Sequence, residues 1–146
     1  MEIREAAFED LDALMGLYAQ LHADEPGPLP RDELEGLWND MLADPNHQVI
    51  LACAGEAVLA SCVLLVVPNL TRGQRPWGIV ENMITDAGHR RQGYGGAVLA
   101  EAVRRAKAAN CYKLMLATGQ SDPAVHRLYR NAGFNSRDKT AYIQWF

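Results

Sequence analysis

The sequence predicts a single α/β domain over residues 1–146, with a central mixed β-sheet flanked by helices. Three observations carry that expectation. At 146 residues, with 49% apolar and 22% charged side chains, the chain has the size of one compact unit with one core. Segments with apolar residues every three or four positions interleave with continuous aliphatic and β-branched runs, the alternation of an α/β architecture. A glycine-rich turn, Gly93-Tyr94-Gly95-Gly96, stands between one such run and the strongest helical stripe.

Taken in order, Glu2 to Ala6 forms a short strand, and Leu11, Leu14, Met15, Tyr18 and Leu21 recur at the spacing of an amphipathic helix. Asp24-Glu25-Pro26-Gly27-Pro28-Leu29-Pro30 predicts a loop, since three prolines and a glycine deny both helical and ladder bonds. Leu34, Leu37, Trp38, Met41 and Leu42 restore the helical period, from Pro30 near the start to a stop at Asp44-Pro45. Val49–Cys53 and Val58–Val67 predict a hairpin through Ala54-Gly55-Glu56, where glycine supplies the positive φ of a tight connection. Pro68 to Pro76 interrupts the sheet pattern and Trp77 to Thr85 resumes it. From Gly93, the apolar Val98, Leu99, Ala102, Val103 and Ala106 are backed by Glu101, Arg104, Arg105 and Lys107, a helix with one core face. Cys111 to Ala117 returns to strand, Asp122-Pro123 opens a helix that Gly133 closes, and the alternation in Thr140 to Phe146 predicts a last strand.

Eighteen acidic against fourteen basic residues give a formal charge of −4, which provides no overall positive field for nucleic acid or an anionic membrane. Basic partners or neutral small molecules are the better expectation. The run Ala57–Val67 is too short for the roughly 20 residues of a membrane helix, and the charged Met1-Glu2-Ile3-Arg4-Glu5 has no signal-peptide character, so a cytoplasmic location is expected. Cys53, Cys62 and Cys111 form no C-x-x-C pair and read as buried free thiols. The scattered His22, His47, His89 and His126 imply no metal.

The segment His89-Arg90-Arg91-Gln92-Gly93-Tyr94-Gly95-Gly96 concentrates the chemistry. A first helical turn offers unpaired N–H groups and the positive end of the macrodipole, and glycines let that backbone approach an anion. Arg90 and Arg91 add charge at the rim, so a phosphate-bearing cofactor fits best. The continuation Gly96-Ala97-Val98 lacks the Lys-Ser/Thr of a P-loop, and Val98 occupies the third glycine position of a dinucleotide fingerprint.

Arg90-x-x-Gly93-x-Gly95 matches the pattern Q/R-x-x-G-x-G/A, and Asp122 to Phe134 ends in Leu-Tyr-x-x-x-Gly-Phe. In these two motifs, in the strand between them and in its element order, the chain resembles the GNAT superfamily of acetyl-coenzyme A-dependent N-acetyltransferases along nearly its whole length. The resemblance implies a splayed sheet and backbone contacts to the cofactor pyrophosphate from Gln92, Gly93, Tyr94, Gly95, Gly96 and Ala97, with Arg90 and Arg91 beside them. It further implies pantetheine pairing along Met83 and Ile84, with the thioester between that strand and the one from Cys111. Asp122 stands where the family often has a cofactor-contacting asparagine; before Pro123 it also reads as a helix N-cap. Family habit implies a homodimer, with the apolar Ala141–Phe146 covered by a second subunit.

Acetyl transfer to an amine needs a base for the amine and an acid for the departing thiolate. Tyr129 matches the family's proton donor, and its alternative is packing with Leu128 against the sheet. Glu81 matches a strand carboxylate that serves as base; binding of the substrate amine or pairing with a donor is its other reading. Glu81 and Asn82 interrupt the apolar run Ile79–Ile84, where an unpaired charge is costly to bury, so a buried functional pair is expected. Asn82 departs from the Glu-Asp dipeptide of glucosamine-phosphate acetyltransferases, whereas Cys111-Tyr112-Lys113 resembles those enzymes. Arg72 and Arg75 lie in a loop that the family places beside the acceptor, and would with Asn82 contact it. The expected activity is direct transfer from acetyl-coenzyme A to a small primary amine in a ternary complex, with no metal, the acceptor chosen by Leu21–Arg31 and Asn69–Trp77. A peptide or protein acetyltransferase, or a non-catalytic acyl-coenzyme A sensor, are the alternatives.

Overall fold

The computed structural model describes residues 1–21 and 26–146. His22, the Asp24-Glu25 start of the proline-rich loop and residues 22–25 of the acceptor-selecting segment therefore lie outside the described residues. One sheet carries five strands in the order β1 (Glu2–Glu5), β2 (His47–Ala54), β3 (Ala57–Val67), β4 (Trp77–Thr85) and β5 (Leu114–Leu116). Neighbours are antiparallel as far as β4, and β4 and β5 are parallel. The sheet is therefore mixed, as expected, and the element order up to α4 (Pro123–Asn131) follows the sequence reading.

Helices α1 (Leu11–Tyr18) and α2 (Arg31–Ala43) cover one face. Their Leu11, Leu14 and Trp38 pack with Val49, Leu51, Cys53 and Val63. On the other face, Val98, Leu99, Ala102 and Ala106 of α3 (Tyr94–Ala108) pack with Ile50, Ala52, Ala60, Cys62, Leu64 and Val80. Consecutive residues of β2 and β3 thus serve opposite cores, which is why these strands read as continuous apolar runs. Cys53 and Cys62 are buried free thiols, Cys111 is half-buried, and the Cys62 thiol donates to the Val98 carbonyl at 3.5 Å. Burial raises the Cys62 pKa to about 12. Among the described residues, no helix is long and apolar enough to cross a membrane.

A charged anchor fixes the amino terminus. Arg4 donates to both carboxylate oxygens of Asp10 at 2.6 and 2.8 Å, and the Ala7 amide donates to the same carboxylate at 2.8 Å. Asp10 is only 8% exposed, and the Arg4 hydrogen bonds hold its carboxyl below the usual range.

Three boundaries differ from the sequence expectation. Helix α1 ends at Tyr18, and Leu21 closes a turn by donating to the Tyr18 carbonyl at 2.8 Å. Strand β5 keeps only three of the seven residues from Cys111 to Ala117. The expected strand Thr140 to Phe146 does not form: the segment pairs with no strand, and Tyr142 and Trp145 are 95% and 87% exposed. Alternation supplies a strand's two faces but not the edge it must pair with.

Candidate active site

The sheet opens where β5 ends. Its register with β4 runs from Gly78↔Leu114 to Val80↔Leu116, and β4 continues alone to Thr85. A Cβ at position 78 would stand 2.8 Å from Leu114 Cδ1, so glycine lets β5 lie close at the start of the pair. Past Val80 the β5-facing edge of β4 has no strand partner, a backbone edge of the kind a pantetheine chain can pair along.

A β-bulge sits at this opening. Ser61 pairs with Ile84 and Val63 with Glu81, so β4 contains one extra residue in the interval. Asn82 takes it up with a φ of 49°, in the left-handed region that asparagine tolerates better than most side chains. Glu81 and Asn82 are exposed, contrary to the expected buried pair. The splay beyond Val80 removes the neighbour that would cover them, so a carboxylate inside an apolar run remains solvated, with no protein partner among the described residues. Met83 packs on the α3 face and Ile84 is buried.

The turn after β4 meets the phosphate expectation in its backbone. Arg91 and Gly93 have φ of 62° and 93°, and alternation of left-handed with ordinary residues turns successive N–H groups into one concavity. Gly93 is the N-cap of α3 and supplies no side-chain acceptor to the first turn, leaving the N–H groups of Tyr94, Gly95 and Gly96 at the positive helix end. Arg90, Arg91 and Gln92 are exposed around it, and among the described residues neither arginine has an ion-pair partner. Tyr94 through Ala97 are half-buried. The left-handed arginine costs on the order of 1–2 kcal/mol relative to ordinary backbone, strain of the kind stored at binding sites. Gly95 has a second reason to be glycine: a Cβ there would lie 2.8 Å from Thr85 Oγ1, so its absence lets α3 start against β4. The residues thus fit a pyrophosphate group, through backbone N–H groups more than through side chains.

A network that sequence reasoning missed holds this turn. Asp86 caps the 3-10 turn Ala87–His89, accepting from the Gly88 amide at 3.0 Å, and its Oδ1 lies 2.6 Å from His89 Nδ1. Gln20, beyond α1, donates to Asp86 Oδ2 at 2.9 Å and accepts from the Ala87 amide at 3.0 Å. The Gln20 hydrogen bond, followed by His89, lowers the Asp86 pKa. A contact across 66 residues leaves no local signal; only the Asp-x-x-His spacing was visible.

Tyr129 lies on the α3/α4 face with Met83, Tyr94, Leu116 and Leu128, its ring edge-on to Phe134 at 6.5 Å between centroids. Desolvation first and Cys62 second raise its pKa, so the phenol keeps its proton through the physiological range. Asp122 uses its carboxylate as the N-cap of α4, accepting from the Ala124 amide at 2.8 Å. His126 contacts the Gln120 carbonyl at 2.8 Å.

Arg72 and Arg75 are not brought to Glu81. They precede β4 at its opposite end, Arg75 six residues, or roughly 20 Å of extended chain, before Glu81 and Arg72 further back still. Arg75 donates to the carbonyls of Asn110 and Cys111 at 3.1 and 3.0 Å, and Arg72 stacks over the Tyr112 ring at 5.7 Å. A pair expected to bind the acceptor here braces the chain between α3 and β5. A cleft of about 500 Å³ beside Glu5, Gln48, Arg104 and Arg105 is likewise away from the bulge. Arg105 there is already paired with Glu5 and Glu101.

An open α/β sheet whose bulged strand leads into a glycine-capped helix start is the architecture that the comparisons identify. Residues 11–134 match the model of the acetyltransferase (GNAT) family, and the chain belongs to that family. The glucosamine 6-phosphate N-acetyltransferase of Trypanosoma brucei brucei is 25% identical over 141 residues, covering 95% of this chain and 92% of that protein. A rice (Oryza sativa subsp. japonica) protein assigned the same activity is 32% identical over 111 residues, 73% of this chain and 65% of its own. A solved structure of a candidate acetyltransferase from Agrobacterium tumefaciens str. C58 superposes with a TM-score of 0.91 at 38% identity, covering 99% of this chain and 100% of that one. The protein is thus an N-acetyltransferase by family, with relatives named for a small amine substrate.

Proposed function

We propose that this chain transfers an acetyl group from acetyl-coenzyme A to the primary amine of a small molecule, directly and within a ternary complex. The observation that carries the reading is the opening past Val80, where the two faces of the sheet meet. Glu81 is reached from the α1/α2 side, since its register partner Val63 packs there, and Tyr129 from the α3/α4 side. The unpaired edge of β4 and the N–H groups from Gly93 to Gly96 hold the donor, with Arg90 and Arg91 at its phosphates; the Ala97 amide, expected among them, donates to the Gly93 carbonyl at 3.0 Å instead. Met83 and Ile84 supply the backbone along which the pantetheine arm lies. Acetyl-coenzyme A, when bound, supplies the activated acyl group.

Glu81 takes the proton that the amine must lose, directly or through water, and Asn82 orients the acceptor. The Glu81 carboxylate is exposed, with no hydrogen-bond donor on it among the described residues, which leaves it open to the amine. Tyr129 supplies the proton for the thiolate, its raised pKa keeping that proton in place until the sulfur needs it. The relatives' names make an amino sugar phosphate the first acceptor to try.

The arm Thr140–Phe146 fits a homodimer, in which it adds to the open edge of β5 in a second copy. Its exposed alternating side chains and that three-residue edge are complementary needs within one chain type.

The test is thiol release from acetyl-coenzyme A with glucosamine 6-phosphate and a panel of primary amines. Wild type is expected to acetylate at least one, and Tyr129→Phe to retain coenzyme A binding while kcat falls at least tenfold, within the 10²–10⁴ range of general acid catalysis. Tight coenzyme A binding without transfer to any amine would favour a sensor instead.

A further inference from the structure

The turn between β4 and α3 is held in a conformation that its own residues do not favour. Arg91 is left-handed, two residues before left-handed Gly93, and such strain persists only where the surroundings over-determine it. Most hydrogen bonds of the turn are local: the His89 amide donates to the Asp86 carbonyl at 2.9 Å, the Gly88 amide to the Asp86 carboxylate at 3.0 Å, and the Gln92 side chain to the Gly88 carbonyl at 3.5 Å. The Asp86 amide donates to the Leu59 carbonyl of β3 at 2.8 Å, which fixes only where the turn begins. Among the described residues, Gln20 is the one other hydrogen-bond partner that reaches residues 86–92 from elsewhere in the chain. Its base is firm: the Gln20 amide donates to the Leu17 carbonyl at 3.1 Å, and Leu11, Leu14 and Leu17 seat α1 in the core. The link needs a donor and an acceptor on one side chain, since Nε2 donates to Asp86 Oδ2 while Oε1 accepts from the Ala87 amide. Asp86 divides its carboxylate to match, with Oδ2 toward Gln20 and Oδ1 toward Gly88 and His89.

We propose that Gln20 is a positioning residue for the donor: from the end of α1 it clamps Asp86 and Ala87, and so holds the N–H groups of the Gly93 turn where the coenzyme A phosphates meet them. Gln20 acts through the turn and not on the cofactor. Both of its bonds are exposed, and surface contacts of this kind add little to folding. Their effect is on geometry, because a set of donors displaced by about 1 Å loses its fit to a ligand. The clamp also predicts a sign that charge alone does not. Asp86→Asn removes negative charge near an anionic cofactor, which by Coulomb attraction would favour binding. It also places a second amide against Gln20, and whichever way the two amides turn, one contact of the network is lost. The inference rests on the reading of this turn as the cofactor-phosphate site.

Calorimetric titration of the full chain with coenzyme A, alongside thermal melts, tests the clamp. Gln20→Leu should weaken coenzyme A binding about tenfold, the scale of one or two net hydrogen bonds, and move the melting temperature by less than about 2 °C. Gln20→Glu and Asp86→Asn should each weaken binding as well, the second against the charge effect. Combined, the two exchange donor and acceptor: the introduced amide at position 86 donates to the introduced carboxylate at position 20, which still accepts from Ala87. The net charge of the pair is then that of wild type, and affinity should return to within about twofold of it. Losses that multiply in the combined variant, or wild-type affinity in a folded Gln20→Leu, would overturn the proposal. A weakened Gln20→Leu whose melting temperature falls far beyond 2 °C would also overturn it, making Gln20 a residue of the fold. Amide shifts of Gly93 to Gly96 that ignore saturating coenzyme A in wild type would instead refute the phosphate-site reading, and the proposal with it.

Discussion

Ile50, Leu51, Ala52, Cys62 and Leu64 of β2 and β3 are fully buried, whereas no residue of β5 or α4 is. Strand β5, Leu-Met-Leu, is as apolar in sequence as β2 and β3, so for it the difference lies in what covers it. The antiparallel part of the sheet is closed on both faces by α1, α2 and α3. At the β5–α4 end Leu114, Leu116, Leu128 and Tyr129 are only half-covered, and the aromatic arm beyond is bare. The site falls on the boundary, where a rigid strand continues past its partner. A closed core supplies the rigidity, and an open edge supplies the room for a ligand.

The contrast can be broken most severely in the core. Leu51→Ala should cost about 3–4 kcal/mol of unfolding free energy, while Leu116→Ala, half-buried in β5, should cost roughly half as much, since the transfer contribution follows buried area. Equal losses in denaturant melts would show that β5 is as closed as β2. The Arg4–Asp10 anchor is next. Arg4→Ala should cost about 2 kcal/mol at neutral pH, the scale of hydrogen bonds to a charged group. The pH dependence has a definite sign: the carboxyl is held below its ordinary pKa, so its contribution is present above about pH 4 and is lost as pH falls through the folded value. Melts of wild type and Arg4→Ala should converge below pH 4.

How far the sequence could be read follows the same boundary. Strand β4 was legible to the residue, because Pro76 and a β-branched run mark Trp77 to Thr85 without help from elsewhere. The turn before α3 was legible as a turn, because glycines at fixed spacing ahead of a helical stripe carry their own backbone geometry. Gly95 was read for its ligand, yet Thr85 gives it a packing role that only the strand–helix approach reveals. Glu81 was expected to be buried because its neighbours in sequence are apolar; the missing neighbour in space, β5 beyond Leu116, decides otherwise. Arg75 carries a charge that sequence assigns to a ligand, while two backbone carbonyls accept its hydrogen bonds. The Gln20–Asp86 link joins segments far apart in the chain, where no local pattern reports it.

Smaller effects sharpen the comparison. Gly93→Ala should cost about 1–2 kcal/mol, because its φ of 93° lies where only glycine is unstrained, and it should weaken coenzyme A binding as the N–H groups turn away. Gly55→Ala, also at positive φ but in the β2–β3 hairpin, should match the stability loss and leave coenzyme A affinity alone. Truncation after Lys139 should change stability by less than about 0.5 kcal/mol, since the arm is exposed, while converting the dimer to monomer in sedimentation. A wild-type chain already monomeric would remove the second copy from the account.

The central claim is that the open edge of β4 and the turn after it form the donor site, and amide chemical-shift mapping during a coenzyme A titration tests it without any acceptor. Perturbations should concentrate from Glu81 to Ala97 and around Tyr129, with β1, β2 and α2 unmoved. Shifts centred on Arg72, Arg75 or the Glu5–Arg105 cleft, or saturation without any response from Gly93 to Ala97, would contradict it.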